Sequence, residues 1–347
     1  MRVGICGFHG SGKTTVFHAL APAGRNGRNG KNGVALGNIK VPDERVDRLA
    51  ALFHPKKTTY AEITFVDVGS GDASKGAFPP MVLENMRTMD VLVHVVRAFD
   101  SALVVEEADP ERDVSRFDDE MVLLDLDVLE RRADRWRREG RRDHAVEVND
   151  RCLAHLEGGS PLRTLALAED ERATLQGLQL LSAKPLITLY NLSEEAWEDD
   201  GLVHLRELRE PAPDTVSLGM CGVIEAEIAE MDAEDQAEIL EGLGLGEPAR
   251  IPFIHAAYRL LDLISFLTSG EDECRAWPVR RGSSAQRAAG RIHSDLERGF
   301  IRAEVHSLED LEAAGTEAKL KKLGKIRVEG KAYEVQDGDV MHIRFNV

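Results

Sequence analysis

The apolar positions of this chain fall into short unbroken runs instead of alternating stripes. Val3–Cys6, Ile63–Val68, Val91–Val96, Leu186–Tyr190 and Thr215–Leu218 each hold four to six residues between polar or helical segments. Runs of that kind with helices between them predict parallel strands covered on both faces, the doubly wound α/β arrangement. Thr14–Leu20 reads as the helix after the first strand. Between the strands at Val91 and Leu186 the period changes. Val122, Leu126, Leu129, Ala133 and Trp136 step by four, three, four and three, a heptad seam. Gly140 breaks the seam, and Ala145, Val148, Cys152 and His155 or Leu156 resume it. Residues 111–179 therefore read as an inserted α-helical hairpin turning at Gly140–Asp143.

Further on, the apolar stretch Ile251–Leu267 predicts one helix ending near Gly270. Strand-like runs at Ala276–Val279, Ile301–Val305, Ile326–Val328 and Met341–Val347 follow. Helices over Ser284–Ser294 and Leu308–Leu323 separate them, which suggests a small α+β module. Gly24–Gly33, a near-repeat of Arg or Lys, Asn and Gly, offers no core side chains and reads as a surface loop.

Composition narrows the picture. The 347 residues exceed one ordinary domain, and 43% hydrophobic content with 5% aromatic suits a Val/Leu/Ala-packed α/β protein. A net charge of -17 disfavours a nonspecific nucleic-acid coat, because phosphates would meet a repelling surface. Cys6, Cys152, Cys221 and Cys274 show no C-x-x-C spacing, so neither zinc nor a disulfide framework is signalled. No apolar stretch approaches the ~20 residues that span a bilayer, and the expected compartment is the cytoplasm.

Chemistry enters at residues 7–14. Gly7-Phe8-His9-Gly10-Ser11-Gly12-Lys13-Thr14 matches G-x-x-x-x-G-K-[ST], after a strand and before a helix as the mechanism requires. Glycines let backbone N–H groups curl around phosphate oxygens. The helix start, carrying Thr15 as well, adds its positive dipole end, and Lys13 neutralises the β/γ charge. The Thr14 hydroxyl is the expected Mg²⁺ ligand. Asp67, ending the strand before it, is placed to reach the ion through water. Asn191, Leu192 and Glu194 follow the strand Leu186–Tyr190 at a sheet end where a base pocket would lie, with Asn191 able to meet the purine edge. A chance glycine turn, a strand-end cap and an ordinary polar loop are the bland alternatives for these three features.

These pieces, in this order, resemble the Obg-like ATPase (YchF) family of translation-factor-class P-loop proteins. The similarity is strongest in GEDECRAWPVRRG at Gly270–Gly282, AAGRIHSDLERGFIRAEV at Ala288–Val305 and GKIRVEGKAYEVQDGDVMHIRFNV at Gly324–Val347. It continues through Val41–Lys57, Met89–Asp100 and Glu225–Leu245. The resemblance implies a P-loop NTPase G domain at 1–110 and 180–268, the hairpin at 111–179 and a β-grasp module called TGS at 269–347. It also implies ribosome association in the cytoplasm. In that family an N-x-x-E base signature replaces N-K-x-D, and Asn191 and Glu194 match it, which favours ATP over GTP.

The chain also departs from the family. Its loop reads His9-Gly10-Ser11-Gly12-Lys13-Thr14 where P-N-V-G-K-S is usual, and Gly24–Gly33 offers no switch threonine. The D-x-x-G glycine is displaced by one residue in Asp67-Val68-Gly69-Ser70-Gly71, and Val104-Val105-Glu106-Glu107 stands where a histidine-bearing loop is expected. The departures cluster on γ-phosphate sensing, so binding should be better preserved than hydrolysis. No side chain is an obvious base, although His9 lies in the loop. Two readings stay open: a slow Mg-dependent ATPase acting as a ribosome-associated switch, and a non-hydrolysing ATP sensor or ribosome adaptor. Lys319, Lys321, Lys322, Lys325, Arg327 and Lys331, together with the arginines of Arg131–Arg142, are candidate RNA contacts or simply solvated faces.

Overall fold

β1 (Arg2–Phe8) is buried from Val3 to Phe8 and sits inside a six-stranded sheet, which is why its side chains are apolar without alternation. The computed structural model describes residues 1–21, 35–71, 78–101, 104, 106–198, 212, 214–243 and 245–346. The stretch Gly24–Gly33 lies outside the described residues. Two compact units emerge, Met1–Ile39 with Thr64–Leu260 and Lys40–Ile63 with Leu261–Val347.

In the first unit the sheet order is β2-β4-β1-β5-β6-β7, with β2 (Leu36–Lys40), β4 (Glu62–Gly71), β5 (Val91–Ala98), β6 (Leu186–Leu192) and β7 (Thr215–Met220). The pairs β1–β4, β1–β5, β5–β6 and β6–β7 are all parallel. Their carboxyl ends consequently share one edge. On one face Val66, Leu92 and Phe8 pack with Met86 of α3 (Pro80–Arg87) and with Phe117 and Met121 of α4 (Pro110–Glu139). On the other, Phe65 meets Phe253 of α10 (Arg250–Leu260) with ring centroids 5.5 Å apart. The doubly wound expectation is borne out.

The hairpin forms as its heptads suggest. Asp109 caps α4 by accepting from Arg112 N at 2.9 Å, and Gly140 ends it at φ 67°. α5 (His144–Glu157) returns, and Val122, Leu129 and Ala133 pack against Val148, Cys152 and Leu156. The chain then re-enters the sheet under the control of Asp125. Its buried carboxylate accepts from Leu181 N at 2.9 Å and Ser182 N at 2.7 Å, just ahead of β6.

The second unit is a mixed sheet ordered β11-β10-β12-β8-β9-β3. It contains β3 (Lys57–Thr59), β8 (Leu263–Thr268), β9 (Glu273–Arg280), β10 (Phe300–His306), β11 (Arg327–Glu329) and β12 (Val340–Phe345). α11 (Ala285–Ile292) supplies Ala285, Ala288 and Ala289 to a core with Phe266, Val279, Phe300, Val305 and Met341.

Three expectations need correction here. The run Ile251–Leu267 is not one helix: it is α10, a reversal with Asp262 at φ 50°, then β8 paired antiparallel to β9. A long apolar run cannot by itself distinguish a buried helix from a buried strand. Leu308–Leu323 is likewise two helices, α13 (Leu308–Ala314) and α14 (Glu317–Lys322), separated at Gly315 with φ 74°. Finally, residues 40–63, with α2 (Glu44–Phe53) and β3, and residues 261–268 belong with the C-terminal unit, not with the first. β3 adds in parallel to β9, and Arg45 pairs with Asp337 at 3.0 Å.

Asp125→Ala is expected to lower the unfolding free energy by about 2–4 kcal/mol, because two buried amides lose their acceptor. Asp125→Asn keeps one acceptor oxygen and should cost about half as much. Urea denaturation followed by circular dichroism measures both.

Candidate functional site

At the carboxyl end of β1 the chain turns through residues 8–12 into α1 (Lys13–Leu20). No side chain caps that helix, no acidic residue occupies its first turn, and Gly12 at its N-cap takes φ 83°. A side chain at Gly12 would be strained in that conformation, and its Cβ would run into the Asn191 amide. The unsatisfied first-turn N–H groups and the positive end of the helix dipole together form an anion cradle.

Lys13 lies over this turn. Its Nζ donates to the Phe8 carbonyl at 2.7 Å and lies 3.4 Å from Ser11 Oγ, with only 6% of the residue exposed. Burial pushes its ammonium from 10.5 down to about 8, and the negative charge of Asp67 offsets part of that. Thr14 is exposed, Thr15 and Gly10 are half-buried, and His9 faces solvent. The His9 backbone N donates to Gly71 O at 2.9 Å, and among the described residues its side chain has no hydrogen bond that would aim it.

Asp67 is half-buried in β4 opposite Ile5, and its Oδ1 accepts from Gly69 N at 3.1 Å. The β1–β4 register jumps from Ile5↔Asp67 to Cys6↔Gly69, so Val68 is an extra residue in a bulge. The bulge absorbs the displaced glycine of the D-x-x-G pattern. β4 then continues to Gly71 alongside the phosphate loop.

Asn191 ties two loops together at the sheet edge. Its Nδ2 donates to Ser11 O at 3.1 Å and its Oδ1 accepts from Gly222 N at 3.0 Å, with the residue almost wholly buried. Both ends of the amide are thus engaged by backbone. It clasps the phosphate loop to the start of α8 (Gly222–Ile228) while also lining the pocket where a purine edge is expected. Beside it opens a pocket of about 540 Å³ lined by Gly12, Thr15, Asn191, Leu192 and Glu194. Phe99, Asp100, Ser193, Glu195, Cys221 and Val223 also line it, and sequence reasoning missed them. The signal was available: Phe99 and Asp100 follow β5, and Cys221 follows β7, at the same sheet edge that had singled out Asn191.

The candidate basic surfaces are partly occupied. Arg132 and Arg141 stack on Trp136 at 4.0 and 4.4 Å, and Arg137 pairs with Asp134, while Arg135, Arg138 and Arg142 remain exposed. Lys325 pairs with Asp310 and Arg327 with Asp339, whereas Lys319, Lys321, Lys322 and Lys331 face solvent.

A glycine loop on the central strand of a mostly parallel sheet, closed by a buried lysine and an uncapped helix, defines a P-loop NTPase fold. Comparison with known proteins agrees. The profile of the family YchF-GTPase_C, described as "Protein of unknown function (DUF933)", matches residues 263–346. The ribosome-binding ATPase YchF of Haemophilus ducreyi is 38% identical, covering 100% of this chain and 99% of the relative. That of Bacillus subtilis is 36% identical, with both chains covered completely. The solved YchF GTPase of Schizosaccharomyces pombe superposes with a TM-score of 0.87 at 29% identity, over 99% of this chain and 97% of that one. A GTP binding protein of Pyrococcus horikoshii shares the fold, with a TM-score of 0.60 at 18% identity and complete coverage of both chains. The chain belongs to the YchF family.

The lowered Lys13 value gives a pH signature. The unfolded chain keeps this proton up to 10.5, whereas the folded protein releases it near pH 8, so burial costs stability below 8 and the cost fades as pH rises to 10.5. Wild type should therefore gain stability relative to Lys13→Met across that window, as read by denaturant unfolding at stepped pH.

Proposed function

We propose that the chain binds Mg-ATP at the phosphate loop, prefers it to GTP, and hydrolyses it slowly as a ribosome-associated switch in the cytoplasm. The observation that carries this reading is the uncapped N-terminus of α1 with the buried Lys13 ammonium, opening beside the 540 Å³ pocket. In it the amides of the loop and first helical turn (Gly10, Ser11, Gly12, Lys13, Thr14 and Thr15) cradle the phosphates, with Gly7 and His9 shaping the turn, and Lys13 turns to the β and γ groups. Thr14 would hold Mg²⁺ directly and Asp67 through water. When bound, the ion neutralises charge that builds on the phosphate oxygens.

For the base, Phe99 and Leu192 offer apolar surface and Glu194 an acceptor for an exocyclic N–H. Leu192 supplies no lysine stem. A mispaired guanine would leave buried polar groups unsatisfied at about 1–3 kcal/mol each, which supports ATP. The names of the relatives support ribosome association. Contact with RNA would fall to the exposed lysines of Lys319–Lys331 and the Arg131–Arg142 hairpin tip, with the C-terminal unit acting as the TGS module.

A second reading, ATP binding without turnover, is favoured by one observation. Val104, an apolar side chain, packs against Gly10, where an added Cβ would come within 2.5 Å of its Cγ2. Such a residue can neither orient nor deprotonate water.

Calorimetry with ATP and GTP, together with a phosphate-release assay, separates these readings. The expected result is ATP binding at least about tenfold tighter than GTP, a difference of about 1.4 kcal/mol. Release should be slow and vanish in Lys13→Ala. Tight ATP binding with no release above blank selects the sensor, and no heat with either nucleotide rejects both.

A further inference from the structure

Four rings form a closed cluster beneath the phosphate loop. Phe8 stacks on Phe78 with centroids 5.4 Å apart, and Phe78 meets Phe117 edge-on at 5.8 Å. Phe117 stacks on His94 at 4.1 Å, and His94 closes the circuit to Phe8 at 5.9 Å. All four are buried. Each ring comes from a different element with its own connection to function. Phe8 carries the carbonyl that holds the Lys13 ammonium. Phe78 directly precedes α3 and is the first described residue after β4 leaves the phosphate loop at Gly71. Phe117 belongs to α4, the 30-residue helix that runs out to the arginine-rich tip.

One polar contact fixes this arrangement. Glu120, one turn beyond Phe117 on α4, accepts from the Phe78 backbone N at 2.5 Å through Oε1. Its Oε2 is buried with no hydrogen-bond partner among the described residues. Burial pushes the carboxyl above the ordinary range, opposed by the Phe78 amide. At the other end, Gly71 O accepts from His9 N, and a Cβ on Gly71 would lie 3.0 Å from Phe78 and 3.1 Å from Phe8. Gly71 is thus bonded to the phosphate loop and Phe78 to the hairpin helix.

We infer that Glu120 is a positioning residue through which the occupancy of the phosphate loop is coupled to α4, by way of Phe78 and the rings of Phe8 and Phe117. The coupling follows from a competition. The Lys13 ammonium rests on the Phe8 carbonyl, and a triphosphate would draw it away, releasing the residue whose ring stacks on Phe78. A ligand shifts such an equilibrium only through contacts that differ between the two states, and the Lys13–Phe8 bond is one of them. Close-packed rings transmit a small shift instead of absorbing it. The inference rests on the nucleotide-binding reading above.

Its test follows backbone hydrogen exchange over residues 110–139 of the full-length protein, with and without saturating Mg-ATP, alongside ATP affinity by calorimetry. In wild type, ATP should change exchange around Phe117–Asp125 by about tenfold, equivalent to about 1.4 kcal/mol. In Glu120→Ala that response should shrink at least about fivefold while ATP affinity stays within about threefold, since Glu120 touches no ligand. Glu120→Gln, whose amide oxygen still accepts from Phe78, should restore it. A merely structural glutamate would lower stability without removing the ATP-dependent part. If Glu120→Ala fails to fold, Phe117→Leu, which keeps apolar volume and loses the stack, should show the same loss. ATP binding with a silent α4 in wild type, or an undiminished response in the variants, overturns this inference alone. Absence of ATP binding in wild type overturns it together with the nucleotide reading.

Discussion

A positive charge held almost out of water is the constraint around which the first unit is organised. The Lys13 ammonium has a carbonyl at 2.7 Å, a hydroxyl at 3.4 Å and little solvent. Such a group is poorly stabilised until an anion arrives, and its lowered proton affinity expresses that deficit. The surroundings keep the deficit in place. β1 is flanked by β4 and β5 and cannot relax, and the helix behind the lysine begins without a cap. What makes the site unfavourable when empty is what favours an anion there.

The second device is Asn191. One amide joins Ser11 of the phosphate loop to Gly222 of α8, across three chain segments far apart in sequence. Each segment leaves the same sheet edge, so the clasp fixes their spacing and with it the width of the neighbouring pocket. Gly12 is required twice over, for its left-handed backbone and for the close approach of that amide. The loop, the pocket and the sheet edge are therefore one preorganised object.

How far this was legible in the sequence depended on whether the determining contacts were local. The phosphate loop is written in eight consecutive residues because its chemistry is a backbone turn, and it was readable. So were the buried strands and the hairpin, whose heptads and Gly140 are local patterns. The division of Ile251–Leu267 into helix and strand was not readable, because the deciding contact is the pairing of β8 with β9, and only a reversal at Asp262 marks it. Residues 40–63 look like a continuation of the first unit until β3 pairs with β9 and Arg45 meets Asp337, nearly three hundred positions away on the order of the whole chain. The role of Asn191 was half legible. Its position at a strand end was correct, but a side chain's partners depend on which loops meet there.

The departures from the family pattern acquire a physical meaning from the same geometry. They fall at His9–Ser11, Gly24–Gly33, Gly69–Gly71 and Val104–Glu107, while Lys13 and Asp67 are unchanged and Thr14 keeps a hydroxyl where serine is usual. The extra residue at Val68 is taken up in a bulge, so β4 still reaches the phosphate loop and its last residue still accepts from His9. An apolar residue, Val104, stands against Gly10. By contrast the elements that connect the loop to the rest of the unit, Phe8, Gly71, Phe78 and Phe117, are buried and tightly packed. A core in contact with ring neighbours on every side tolerates little change, whereas a solvent-facing catalytic group can be lost without disturbing the fold. The departures therefore lie where the fold tolerates them, while the lysine and the packed residues that hold the loop in place remain.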